Sequence, residues 1–265
     1  MNTISAVDCH AHVMLRDAPM LTLRHSRPAR DVPVEEFLSV LDAHHIARGV
    51  LTAPSFYGFD NTVLRAATRA HPDRLRGTVI LDPDVEPELS DMAADGIVGI
   101  RLNWTYRDRL PDITSPGYTR LLHAVRERDW HVELFVEGAH MPALLPVIQR
   151  SGAKLVLDHF GCPDPVAQVA SPGFAQVLHA VRDGNCWVKL SAPYRLGGAD
   201  PQPYVDALLQ AGGPQRLVWA SDWPWLNHEG KFTYQDCLDW LTTWVPDDAT
   251  RSIILADTPA ALFGF

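Results

Sequence analysis

The chain is short of basic charge, of paired cysteines and of long apolar runs, and each shortage closes a route. It carries 23 Lys and Arg against 32 Asp and Glu, a formal net charge of -9. No stretch forms the basic stripe that a phosphate backbone requires, so nucleic acid is not an expected partner. The four cysteines, Cys9, Cys162, Cys186 and Cys237, lie far apart, with no CxxC pair. A disulfide framework is not expected; buried thiols in a reducing compartment are. No apolar run approaches the length of a membrane span. Residues 1–7 show neither a basic n-region nor an apolar h-region, so the expectation is a cytoplasmic protein without a secretory leader.

What is present is ordinary globular composition, 265 residues of which 46% are hydrophobic and 21% charged. That is enough chain to bury a full core. Short apolar, β-branched runs alternate with amphipathic stretches. The strand-like runs are 4–9, 49–53, 77–81, 99–103, 132–136, 154–158, 188–191 and 217–221. They are nearly continuously apolar, the pattern of parallel strands covered by helices. Between them, "VEEFLSVLDAHH" places Phe37, Leu38 and Leu41 on one face. "SPGYTRLLHAVRERD" and "SPGFAQVLHAVRD" open on Ser115 and Ser171 as caps, each with a proline just inside, and a further helix follows Thr233. This alternation predicts a (β/α)8 TIM barrel, one domain over residues 1–265. A doubly wound open sheet is the alternative, and the absence of GxGxxG after the first strand counts against it.

A barrel gathers its functional groups at the carboxyl ends of its strands. His10 and His12 end the first strand, His159 follows the sixth, and Asp222 follows the eighth. Three imidazoles and a carboxylate match a mononuclear zinc set. They equally match a metal-free site in which Asp222 takes a proton from water while the histidines stabilise charge on oxygen. His159 and Asp222 as loop anchors is the structural alternative. Arg101 sits inside an apolar strand, where a charge needs an anion. It suits either a substrate carboxylate or a barrel carboxylate such as Glu133 or Glu137. Arg107 and Arg195 lie in loops, substrate-gripping or solvated, with Arg109 a rival to Arg107. Ser55 lacks the GxSxG elbow of a nucleophile, which leaves a substrate hydrogen bond or a plain turn residue. His228 reads as solvated, and Trp223 as the tryptophan nearest the mouth.

Taken in order, "DCHAHV", "GIRLN", "LDHFG", "APYRL", "ASDWPW" and "DTPAALFGF" resemble the amidohydrolase superfamily, within it the branch of 2-pyrone-4,6-dicarboxylate hydrolase-like lactonases. The motifs run from Asp8 to Phe265. The resemblance implies hydrolysis of a carboxylated lactone by water that Asp222 activates. It implies roles for His10, His12 and His159, and carboxylate contacts from Arg101, Arg107 and Arg195, with Ser55 on the substrate. It implies either no cofactor or one divalent ion, Zn or Mn, held by His10, His12, His159 and Asp222. Relatives with this set include sugar-lactone hydrolases and decarboxylases, the alternative activities. A two-metal site in this superfamily needs a bridging lysine or glutamate and a further histidine; "VELFVEG" offers glutamates but no lysine, and "WVKLSAPYR" has no histidine, which speaks against two metals. Two tyrosines of the pyrone enzyme correspond to Ser26 and Phe135 here, and both changes remove hydroxyls from the substrate pocket. The implied partner is a small carboxylated lactone, and the assembly a monomer or homodimer.

Overall fold

The computed structural model describes residues 6–22, 24, 26–86 and 88–265. In chain order the elements are β1 (Val7–Ala11), α1 (Val34–Ala43), β2 (Arg48–Thr52), α2 (Thr62–Ala70), β3 (Leu75–Val79), α3 (Leu89–Ala94), β4 (Ile97–Asn103) and α4 (Pro116–Glu127). There follow β5 (His131–Phe135), α5 (Met141–Ser151), β6 (Lys154–Leu157), α6 (Pro172–Arg182), β7 (Cys186–Leu190), α7 (Gln202–Gly212) and β8 (Leu217–Trp219). The chain ends in α8 (Tyr234–Trp244), α9 (Asp248–Ser252) and α10 (Thr258–Phe263). The eight strands form one sheet in the order β1-β2-β3-β4-β5-β6-β7-β8 with helices between them, the (β/α)8 barrel topology expected from the sequence.

All eight predicted strands are found, with ends displaced by a few residues. The first begins at Val7; Ile4 and Ser5, in the predicted strand, lie outside the described residues. The helix caps correct one expectation. Ser171 accepts a hydrogen bond from the Phe174 amide, and Thr233 and Asp236 form a reciprocal capping box. Ser115 precedes α4 but makes no side-chain cap bond, although its backbone (φ -57°, ψ 154°) is close to that of Ser171 (φ -66°, ψ 142°).

The chain divides into two compact units, Met1–Ile80 with Glu88–Val98 and Trp219–Phe265, and Leu81–Pro87 with Gly99–Val218. In the first unit α1 lies close on β2: a Cβ at Gly49 would stand 2.7 Å from the Phe37 ring, so only glycine admits that packing. Of the predicted face, Phe37 and Leu41 are buried there and Leu38 is half-buried. In the second unit β4–β7 pair in regular parallel register, Arg101 beside Glu133 and Leu157 beside Val188.

Candidate active site

In the first unit, β1 carries an extra residue. Asp8 pairs with Gly49 but Ala11 pairs with Leu51, so a bulge falls across Cys9 and His10. Bulges re-aim side chains beside active sites. Here the Nε2 atoms of His10 and His12 come to 3.2 Å from one another. Asp222 Oδ1 lies 3.5 Å from His10 Nε2 and 3.8 Å from His12 Nε2. All three residues are buried.

The backbone locks this triangle. The Asp222 amide donates to the His10 carbonyl at 3.0 Å, and the His12 amide donates to the Trp223 carbonyl at 2.9 Å. Asp222 adopts a left-handed conformation (φ 59°), uncommon for a side-chain-bearing residue and typical of positions where structure is held for function. Behind it, the Asp8 carboxylate accepts from the Ser221 amide and hydroxyl, the Tyr234 hydroxyl and the His10 amide. Burial pushes the Asp8 carboxyl up, and these donors oppose the shift. The sequence reading did not single out Asp8; its only signal was a carboxylate in an apolar strand.

The triangle fits a divalent cation. Ligand atoms about 2.0–2.1 Å from a tetrahedral zinc stand roughly 3.3 Å apart, close to the 3.2, 3.5 and 3.8 Å found here. His12 Nδ1 faces the Thr52 carbonyl at 2.7 Å. A carbonyl only accepts, so Nδ1 carries the proton, and a neutral ring presents a lone pair at Nε2.

Ser55 begins a short 3-10 turn after β2, half-buried, its carbonyl accepting from the Gly58 amide. Trp223 is buried and stacks on Phe37 at 5.4 Å. Ser26 is half-buried in the segment after β1, and His228 is half-buried in the segment after Trp225.

In the second unit, Asp158 and His159 follow β6. His159 has positive φ (48°), as does Phe160 (60°), and His159 Nδ1 lies 2.9 Å from Ser191 Oγ. The Phe135 ring meets the His159 ring edge-on at 5.1 Å. Arg195, on the turn after β7, places its guanidinium 5.8 Å from the Phe135 centroid. Phe135 and Arg195 border a cavity of about 250 Å³, with Thr105, Glu137, Cys162 and Asp164 also on its wall. Burial and the nearby Asp158 carboxylate push the Cys162 thiol up. Arg107 and Arg109 are exposed in the loop after β4.

Arg101 is buried among carboxylates. Its Nε lies 3.0 Å from Glu133 Oε1 and its Nη2 2.9 Å from Asp158 Oδ2. Lys189 Nζ reaches Glu133 Oε2 at 2.5 Å and Asp158 Oδ1 at 3.0 Å. The barrel-carboxylate reading of Arg101 thus has Glu133 as one partner, with Asp158 as the second. Asp158 and Lys189 were not read as charged partners. Each stands in or beside an apolar strand, and only the pairing of β4, β5, β6 and β7 makes them neighbours.

Known proteins resemble this chain along nearly its whole length. A 4-sulfomuconolactone hydrolase of Rhizobium radiobacter is 30% identical over 98% of this chain and 90% of its own length. A 2-pyrone-4,6-dicarboxylate hydrolase of Comamonas testosteroni is 26% identical over 97% of this chain and 90% of its own. A crystal structure from Pseudomonas putida, provisionally described as a 2-pyrone-4,6-dicarboxylic acid hydrolase, shares 38% identity, with a TM-score of 0.90 over 98% of both chains. The amidohydrolase family model matches residues 7–265, and the chain belongs to that family.

Proposed function

We propose that this protein hydrolyses a carboxylated lactone, 2-pyrone-4,6-dicarboxylate or a close analogue. The observation that carries the reading is the buried triangle of His10, His12 and Asp222, a carboxylate 3.5 and 3.8 Å from two imidazoles, at the carboxyl ends of β1 and β8. Strand ends are where barrels of this kind do their chemistry. The names of the relatives support the substrate class.

Asp222 acts as general base. It takes a proton from water as the water oxygen bonds to the lactone carbonyl carbon. The ring C–O bond then breaks, and the proton passes from Asp222 to the leaving ring oxygen. His10, His12 and His159 stabilise the negative charge that develops on the carbonyl oxygen. Arg195 and Arg107 hold substrate carboxylates and fix the ring, Arg101 is engaged by Glu133 and Asp158, and Ser55 donates to substrate. Phe135 and Ser26, without the tyrosine hydroxyls, leave recognition to the arginines.

A divalent ion, Zn or Mn, would be held by His10, His12 and Asp222, with His159 as the fourth ligand of the proposed set. Bound there, it would polarise a carbonyl or lower the pKa of a water. The same triangle supports the second reading, a metal-dependent sugar-lactone hydrolase or decarboxylase. Metal stoichiometry and carbon dioxide release separate the two. Among the described residues no helix is long and apolar enough to cross a membrane. Four cysteines outside disulfides suit a cytoplasmic enzyme, which we take to work as a monomer or homodimer.

The test is the ultraviolet absorbance of 2-pyrone-4,6-dicarboxylate mixed with purified, exhaustively chelated protein. Loss of the pyrone chromophore at an enzymatic rate supports a metal-independent lactonase. Loss only after zinc or manganese is added assigns the triangle to a metal. A flat trace under every condition removes this substrate.

A further inference from the structure

Lys189 takes no part in the mechanism above, yet it is a fully buried lysine bonded to two carboxylates. Its place on β7 suggests what it does. Residues two apart on a strand share a face. Lys189 and Ser191 are such a pair. Leu157 of β6 is level with Val188 of β7, so one step on Asp158 comes level with Lys189. Lys189 Nζ holds Asp158 Oδ1 at 3.0 Å, and Ser191 Oγ holds His159 Nδ1 at 2.9 Å. Two neighbouring residues after β6 are thus tied to two same-face side chains at the end of β7.

The tie is placed where the backbone needs one. His159 and Phe160 both have positive φ, 48° and 60°. A side-chain-bearing residue enters that region only when its surroundings over-determine it. Arg101 Nη2 secures the other oxygen of Asp158 at 2.9 Å, so the residue just before the strained pair is gripped from both sides.

We propose that Lys189 is a positioning residue for His159: by tethering Asp158 it sets the backbone that aims the His159 ring, while Ser191 fixes the ring itself. This rests on the reading of His159 as a group that acts on substrate. A competing role is mere charge balance, one more cation for Glu133 and Asp158.

The experiment compares Lys189→Met with the charge-balanced double variant Lys189→Met/Glu133→Gln. Two readouts are used: kcat and KM on 2-pyrone-4,6-dicarboxylate, and the histidine ring signals in long-range proton–nitrogen NMR spectra. The double variant lacks the tether but not the balance, so it decides the question even where the single variant fails to fold. In both variants kcat should fall roughly 10- to 100-fold, the scale of a small misplacement of a reacting group, with KM changed far less. The His159 signals should move while those of His10 and His12 stay. Recovery of kcat in the double variant would reduce Lys189 to charge balance and overturn the proposal. So would unmoved His159 signals, or moved signals with wild-type kcat. If the wild-type protein turns over no lactone, the functional reading is what fails, and the NMR comparison still decides whether Lys189 orients His159.

Discussion

His12 directs its Nδ1 at the carbonyl oxygen of Thr52, 2.7 Å away. That contact links the end of β1 to β2 and leaves Nε2 directed towards His10 and Asp222. His12→Asn retains a donor near Thr52 and loses the atom at Nε2. Turnover of the pyrone should fall at least about 100-fold, the scale of losing one charge-stabilising group. Zinc titrated into chelated protein by calorimetry should bind more weakly than in the wild type. Wild-type turnover in His12→Asn would remove His12 from the chemistry.

Asp222→Asn keeps the shape of the side chain and the hydrogen bond that the residue's backbone N–H donates to the His10 carbonyl. It cannot accept a proton from water. We expect kcat to drop by about 10²- to 10⁴-fold, with the dissociation constant for the pyrone changed little. Stopped-flow absorbance and calorimetry measure the two separately. If the variant keeps most of its turnover, the general-base assignment is wrong.

Arg195 faces the Phe135 ring on the cavity wall. Replacing it with methionine keeps the apolar stem and deletes the fork. A lost hydrogen bond to a charged group costs about 1.5–3 kcal/mol, so KM for a carboxylated lactone should rise by roughly 10- to 100-fold. A lactone without carboxylates should show no such change. Equal effects on both substrates would mean that Arg195 supports the pocket and does not read charge.

Burial and the nearby Asp158 carboxylate push the Glu133 carboxyl up to about 7, against the pull of Lys189 and Arg101. A carboxyl raised in the fold favours folding while it is protonated. Its contribution is therefore full below about pH 4.5, the ordinary value, and is lost as pH rises through about 7. Melting temperatures of the wild type and Glu133→Gln, measured from pH 5 to pH 8, should change in opposite relative senses. The wild type loses ground to the variant as pH rises. Parallel curves would show that Glu133 stays ionised throughout.

The barrel was legible because parallel strands covered on the outside leave uninterrupted apolar runs, and eight such runs are separated by helical periodicity. The family was legible for a different reason, the resemblance of motifs from "DCHAHV" to "DTPAALFGF" to known sequences, and the family match over residues 7–265 agrees with it. His10, His12 and Asp222 could be named from the strand ends, since a strand end fixes where a side chain emerges. Local pattern could not separate Ser171, which caps its helix, from Ser115 in the same "SPG" context, which does not. Nor could it show the bulge that turns His10 towards His12, because a bulge is defined only by the partner strand. The partners of Arg101 were likewise undecided between Glu133 and Glu137 until strand register placed Glu133 beside it. Lys189 and Asp158 are 31 residues apart in the chain and 3.0 Å apart at their charged atoms. Composition and periodicity report which residues are buried. Which buried charge faces which is decided by register between strands, a long-range property that only the folded sheet possesses.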